Sequence, residues 1–118
     1  MKGSVDTHLG NVFVDNNVIA EYAGNVAMEC YGVVGMASVN LKEGVTSVLK
    51  RDSMAKGITV SLDNNKLNIN LHIIVAFGVS IMAVANNVMG EVKYKVENFA
   101  GLDVESVNVF IEGVSFVD

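Results

Sequence analysis

The stretch FGVSIMAVANNVMGEVKYKVENFAGLDVESVNVFIEGV, residues 77–114, decides the fold because its apolar spacing changes period partway along. Ser80 offers a hydroxyl to the free amides of a first helical turn. Ile81, Val84, Ala85, Val88, Val92, Val96 and Phe99 then recur at three- and four-residue spacing, with Glu91 and Lys95 paired outside. Gly101 stops that helix. Beyond it Val107, Val109 and Ile111 alternate with Ser106, Asn108, Phe110 and Glu112, which is a strand with two unlike faces, and Gly113 marks a bulge.

Working back toward the N-terminus, residues 57–77 show a period of two. A two-residue turn at Asn64 and Asn65, both suited to positive φ, aligns Leu62 with Leu67, Val60 with Ile69 and Ile58 with Leu71. The other face pairs Ser61 with Asn68 and Thr59 with Asn70, and continues to His72. The second strand becomes wholly apolar over residues 73–76, as a strand in the middle of a sheet does.

Further back, Asn11 to Val14 reads as a strand, and Asp15 or Asn16 as the N-cap of a helix reaching about Tyr31. Ile19, Tyr22, Ala23, Val26, Ala27 and Cys30 share one helical face, and Glu21, Asn25 and Glu29 lie opposite. Gly32 is expected to supply a left-handed stop. Val33 to Leu41 reads as a second strand. Glu43 to Arg51 reads as a short helix edged by Val45, Val48 and Leu49, with Gly44 against it. His8 falls in an N-terminal segment expected to be mobile.

The predicted order is β-α-β-(short α)-β-β-α-β. Two helices cannot cover both faces of a four- or five-stranded sheet. The expected class is therefore α+β: a two-layer sandwich with a mixed or antiparallel sheet and two main helices on one face. A single domain over residues 1–118 is expected, since Pro is absent and no linker-like run interrupts the chain. A hydrophobic content of 51% against 18% charged residues fits a packed globule.

A net charge of -5, with Arg51 the sole arginine, argues against general nucleic-acid binding, which depends on clustered cations. No apolar run approaches the roughly 20 residues of a membrane-spanning helix. With a lone cysteine and no leader-like segment at the N-terminus, a reducing cytoplasm is the expected compartment.

Each candidate for chemistry has a plainer reading. His72 lies on the polar side of its strand, where a proton shuttle or ligand could sit, yet no partner acid or base is evident in the sequence, so a solvated strand histidine is expected. Cys30 sits near a helix C-terminus, which disfavours a thiolate, and reads as core packing. One Cys, two His and scattered carboxylates show no zinc or calcium spacing, so no metal and no cofactor are expected. Gly32-Val33-Val34-Gly35 matches the GXXG of an RNA-binding KH loop, but two valines fill it and a strand follows. Lys42, Lys50, Arg51 and Lys56 concentrate half of the 8 basic residues, either as a docking site for an anionic partner or as a solvated edge.

Residues 9–36, LGNVFVDNNVIAEYAGNVAMECYGVVGM, with KGITV at 56–60 and the 77–114 stretch, resemble the alkaline-shock-protein family of Gram-positive envelope stress proteins. The resemblance rests on Gly10, Val18 and Ile19, Gly32-Val33 with Gly35-Met36, Gly78, Gly101-Leu102 and Val107-Asn108-Val109. Physically these are turns, caps and core positions. Residues 41–56 and the end at Asp118 resemble a short subgroup without charged tails. The resemblance implies a cytoplasmic protein, in some members recruited to the inner face of the membrane by a separate anchor. It also implies links to envelope homeostasis and lipid metabolism, and it brings no catalytic residue.

The expected function is a non-enzymatic adaptor or scaffold, acting through protein contacts, with homo-oligomerisation as one candidate mode. Lys42, Lys50, Arg51, Lys56, Asn68, Asn70, His72, Asn108 and Phe110 are its candidate partner surface. The enzyme alternative requires a deep pocket holding His72 beside a carboxylate. A small-molecule or fatty-acyl binder would use Met28, Met36, Met82 and Met89 as adaptable lining between helices and sheet.

Overall fold

A computed structural model describes residues 2–7, 10–40, 45–48 and 57–116. In chain order the elements are β1 Lys2–Thr7, β2 Gly10–Asp15, α1 Asn16–Glu29, β3 Val33–Asn40, β4 Val45–Val48, β5 Ile58–Asp63, β6 Lys66–Ala76, α2 Ile81–Ala100 and β7 Asp103–Ser115. The fold is α+β, with helices and sheet in two layers.

The β5–β6 hairpin forms in the predicted register, Ile58 opposite Leu71, Val60 opposite Ile69 and Leu62 opposite Leu67. Asn64 and Asn65 take φ of 52° and 63° to close it. β6 is the central strand. β7 runs parallel to it along one edge, from Lys66 opposite Asp103 to Ala76 opposite Ser115. The other edge of β6 is shared end to end: β5 takes residues 66–71, and β3 takes the rest, with Met36 opposite Ile73 and Val33 opposite Val75. Past Met36 the chain of β3 departs from β6 and pairs with β4 instead, Ala37 opposite Val48 through Asn40 opposite Val45.

That pairing corrects one expectation. Val45–Val48 is a strand, not part of a short helix. Two valines and Thr46 within four residues lose side-chain freedom in a helix and suit a pleated pair, and the departing half of β3 offers an unpaired edge. The flanking positions of the predicted helix, 43–44 and 49–51, lie outside the described residues. At the N-terminus β1 pairs with β2 as a separate two-stranded sheet, a strand that the sequence reading did not anticipate. His8 lies outside the described residues.

α1 begins where Asp15 accepts from the Asn17 amide at 2.8 Å. Asn16, the first helical residue, is buried and donates through Nδ2 to the Val60 carbonyl at 3.0 Å, tying the start of the helix to β5. Ile19, Ala23, Val26, Ala27 and Cys30 face the core as predicted. The helix ends in an extended C-cap at Cys30, and Gly32, at φ +86°, makes the turn into β3 two residues later than a left-handed helix stop would.

α2 is capped by the Ser80 hydroxyl, which accepts from the Ala83 amide at 3.3 Å, and ends at Gly101 with φ +70°. Its inward surface is a single row, Val84, Val88, Val92 and Val96, each 2% exposed or less. Valine is a modest helix former, so packing rather than propensity holds this row in place. Ile81 and Phe99, expected in the same row, lie in the end turns and are about half exposed; Phe99 is covered instead by Tyr22, their rings stacked 4.2 Å apart.

At Gly32 the turn into β3 runs close against α2. A Cβ there would sit 2.5 Å from Val84 Cγ2, whereas a Cβ on Gly101 meets nothing within 4 Å, and both glycines have positive φ. Gly101→Ala should therefore cost about 1 kcal/mol, from backbone strain alone. Gly32→Ala should cost about 2–4 kcal/mol, from strain plus overpacking. Chemical denaturation of the two variants checks the order, and equal losses would contradict the close approach.

Candidate functional site

The two helices pack on the face of the sheet that carries Ile58, Val60, Leu67, Ile69, Leu71, Ile73, Val104 and Val107. The opposite face carries Thr59, Ser61, Asn68, Asn70, His72, Ser106, Asn108 and Phe110. Parallel pairing sets Asn68 beside Ser106, Asn70 beside Asn108 and His72 beside Phe110. The side chains bond along those rungs: Ser106 Oγ donates to Asn68 Oδ1 at 2.7 Å, and Asn108 Nδ2 donates to Asn70 Oδ1 at 2.9 Å. His72 and Phe110 stack with ring centroids 4.9 Å apart. Five of the nine candidate surface residues, Asn68, Asn70, His72, Asn108 and Phe110, are thus neighbours on one sheet face. Lys42, Lys50, Arg51 and Lys56 lie outside the described residues.

His72 has a carboxylate partner that the sequence reading missed. Its Nδ1 lies 2.5 Å from Glu112 Oε2, with each side chain about a quarter exposed. The register of β7 shifts between Ile111 and Gly113, and this bulge brings Glu112 back toward the His72 rung. An ionised carboxylate only accepts, so Nδ1 carries the hydrogen and, in the neutral ring, Nε2 is left as an acceptor. The predicted bulge at Gly113 was the available signal. What was lacking was the parallel pairing that brings residue 112 beside residue 72.

Half of the arrangement required by the enzyme alternative is therefore present, a histidine beside a carboxylate. The described depressions lie elsewhere, where the end of α1 meets α2. One, of about 210 Å³, is lined by Val26, Glu29, Cys30, Tyr31, Asn87, Glu91 and Lys95; its neighbour, of about 280 Å³, is lined by Tyr31, Ser80, Ala83, Val84 and Asn87. The four methionines do not converge on a common cavity: Met36 is buried at 1% exposure, Met82 is 76% exposed, and Met28 and Met89 pack against the core. Gly32 to Gly35 spans a turn and the start of β3, with Val33 buried in the core. Among the described residues no group of three or more His, Cys, Asp or Glu is placed to hold a metal, and no helix is long and apolar enough to cross a membrane.

Cys30 packs as expected, 8% exposed with its thiol donating to the Val26 carbonyl at 3.4 Å. Burial pushes the thiol's pKa up, and the Glu91 charge adds to this, while Lys95 opposes it. A raised pKa keeps the neutral thiol, so the folded state is favoured at neutral pH and this contribution fades as pH rises through the folded value. Alkylation of the native protein by iodoacetamide near pH 8 should run at least about tenfold slower than that of a free cysteine. Mass spectrometry of the adduct measures the rate, and labelling at the free-cysteine rate would refute the burial.

Residues 4–116 match the alkaline shock protein 23 family, described as having a cell envelope-related function. The uncharacterized protein YloU of Bacillus subtilis is 42% identical over 109 residues, covering 92% of this chain and 91% of its own. The uncharacterized protein Spy1614 of Streptococcus pyogenes is 31% identical over 118 residues, covering 99% and 98%. The uncharacterized protein YqhY of Bacillus subtilis is 34% identical over 111 residues, covering 94% and 82%. No solved structure matches the chain.

Proposed function

This chain belongs to the alkaline shock protein family, with its cell envelope-related function, and from that premise we propose that it is a non-enzymatic adaptor or scaffold of cell-envelope homeostasis. It acts through protein contacts on the open face of the sheet. The observation that carries this reading is the cross-strand ladder, in which Asn68, Asn70, Ser106 and Asn108 satisfy one another and leave a flat, ordered pattern of amides and hydroxyls. Little side-chain entropy then remains to be lost on binding. Beside the ladder, Phe110 stands 46% exposed against His72, an aromatic anchor of the kind that dominates protein interfaces.

The Glu112–His72 pair serves recognition in this reading: the carboxylate fixes the ring, and Nε2 accepts a bond from the partner. The basic segment containing Lys42, Lys50, Arg51 and Lys56 supplies a second contact, suited to an acidic partner. The protein works in the cytoplasm, and any approach to the inner face of the membrane, or bearing on lipid metabolism, runs through that partner.

Thr59→Arg with Ser61→Arg tests the face. Both residues are exposed on β5, so the pair changes the surface without touching the core. The double variant should lose at least about tenfold in affinity, roughly 1.4 kcal/mol, for whichever protein the unaltered chain retains in affinity capture. Its melting temperature should stay unchanged. Lys93→Glu, on the exposed side of α2, should leave capture intact. Capture lost only in the Lys93 variant would place the partner on the helices and end this reading.

A further inference from the structure

Three strands end the sheet, β4, β5 and β7, and the last two differ in how their outer backbone is covered. At β5 the backbone is plugged by a side chain, since Asn16 takes the Val60 carbonyl. At β7 only the beginning is covered: the Glu97 carboxylate accepts from the Val104 amide at 2.9 Å. From Ser106 to Val114 the described residues provide no strand and no side-chain-to-backbone bond along the outer side. β7 is 13 residues long, about twice the usual strand, and its bulges at Glu105 and Glu112 leave Ser106 to Ile111 as a regular row of pairing groups between them. Its side chains are also unusually apolar for a free edge. Val109 and Ile111 are only partly buried, Phe110 and Val114 are 46% and 49% exposed, and Phe116 just beyond is 76% exposed.

We infer that the outer edge of β7 pairs antiparallel with β7 of a second copy of this chain, about a two-fold axis at Val109, joining two five-stranded sheets into one. The choice of a second copy rests on self-complementarity, which an isologous contact demands. With the axis at Val109, Val107 lies opposite Ile111 of the second copy, Asn108 opposite Phe110, and Val104 opposite Val114. The acids meet neutral residues, Glu105 opposite Gly113 and Glu112 opposite Ser106, so a chain of net charge -5 pairs there without like charges in contact. Moving the axis to Asn108 brings Val104 opposite Glu112, and moving it to Phe110 brings Val114 opposite Ser106. Only the Val109 register keeps apolar against apolar on the helix-covered side. In it the helices of both copies lie on one side, and the two polar ladders form one continuous surface on the other. The pairing does not depend on what that surface binds.

The register is tested with cysteine pairs in a Cys30→Ala background. Asn108→Cys combined with Phe110→Cys sets thiols directly opposite one another across the axis, within disulfide reach, whereas either substitution alone leaves like positions beyond the ~7 Å Cα limit. Mild oxidation with diamide should convert the double variant to covalent dimer and leave each single variant monomeric on a non-reducing gel. Native mass spectrometry of the unaltered chain should show dimer that dissociates on dilution. Asn108→Asp with Phe110→Asp should weaken the dimer at least tenfold, and Asn108→Lys with Phe110→Glu should restore it. A chain that stays monomeric at several hundred micromolar, or single variants that cross-link as readily as the double one, would overturn the inference.

Discussion

The parallel pairing of β6 with β7 is the contact on which the rest of the domain depends. It runs along all 11 residues of β6 and joins segments that no hairpin could connect, so a crossover must span them. α2 is that crossover. Its row of valines joins the core that both of these strands line, packing against β7, and its end at Gly101 delivers the chain to the start of β7. Because neighbouring residues of a strand point to opposite sides, the register that buries Val107, with the bulge at Glu105 that turns Val104 to the same side, also sets the ladder of Asn68, Asn70, Ser106 and Asn108 on the other side. Core and surface are two readings of one alignment. A slip of one residue would expose the valines and bury the amides together.

What the sequence revealed of this fold was what depends on near neighbours. The β5–β6 hairpin could be read rung by rung because the Asn64-Asn65 turn determines its alignment locally. Asp15 and Ser80 were legible as caps for the same reason. β4 was misread because a valine-rich segment beside a glycine fits a weak helix and a weak strand alike, and the deciding fact was the free edge left by β3. Ile81 and Phe99 were placed inside by spacing alone, which says nothing about where a helix outruns the surface beneath it.

The surface followed the same division. Alternation put Asn68, Asn70 and His72 on one side of β6, and Asn108 and Phe110 on one side of β7, without stating that the strands are adjacent. Once they are, separate polar residues become bonded pairs and Phe110 becomes a neighbour of His72. Glu112 could not be found in this way, because its approach to His72 needs both the pairing and the extra residue of the bulge. The family match spans residues 4–116; the glycines and apolar positions that carry the resemblance build the domain, and of that set Asn108 stands on the polar face.

The sharing of one edge of β6 by β3 and β5 gives the domain a seam. The chain leaves β6 after Met36, opposite Ile73, and rejoins it at Ile58, opposite Leu71, so the two ends of the intervening segment lie about two strand residues apart, roughly 7 Å. Closing a loop between such ends costs little more when the loop doubles in length. Residues 37–57 hold half of the chain's cations, and the described rungs within them join β3 only to β4, so the registers of β6 with β5 and β7 are set independently of that pairing.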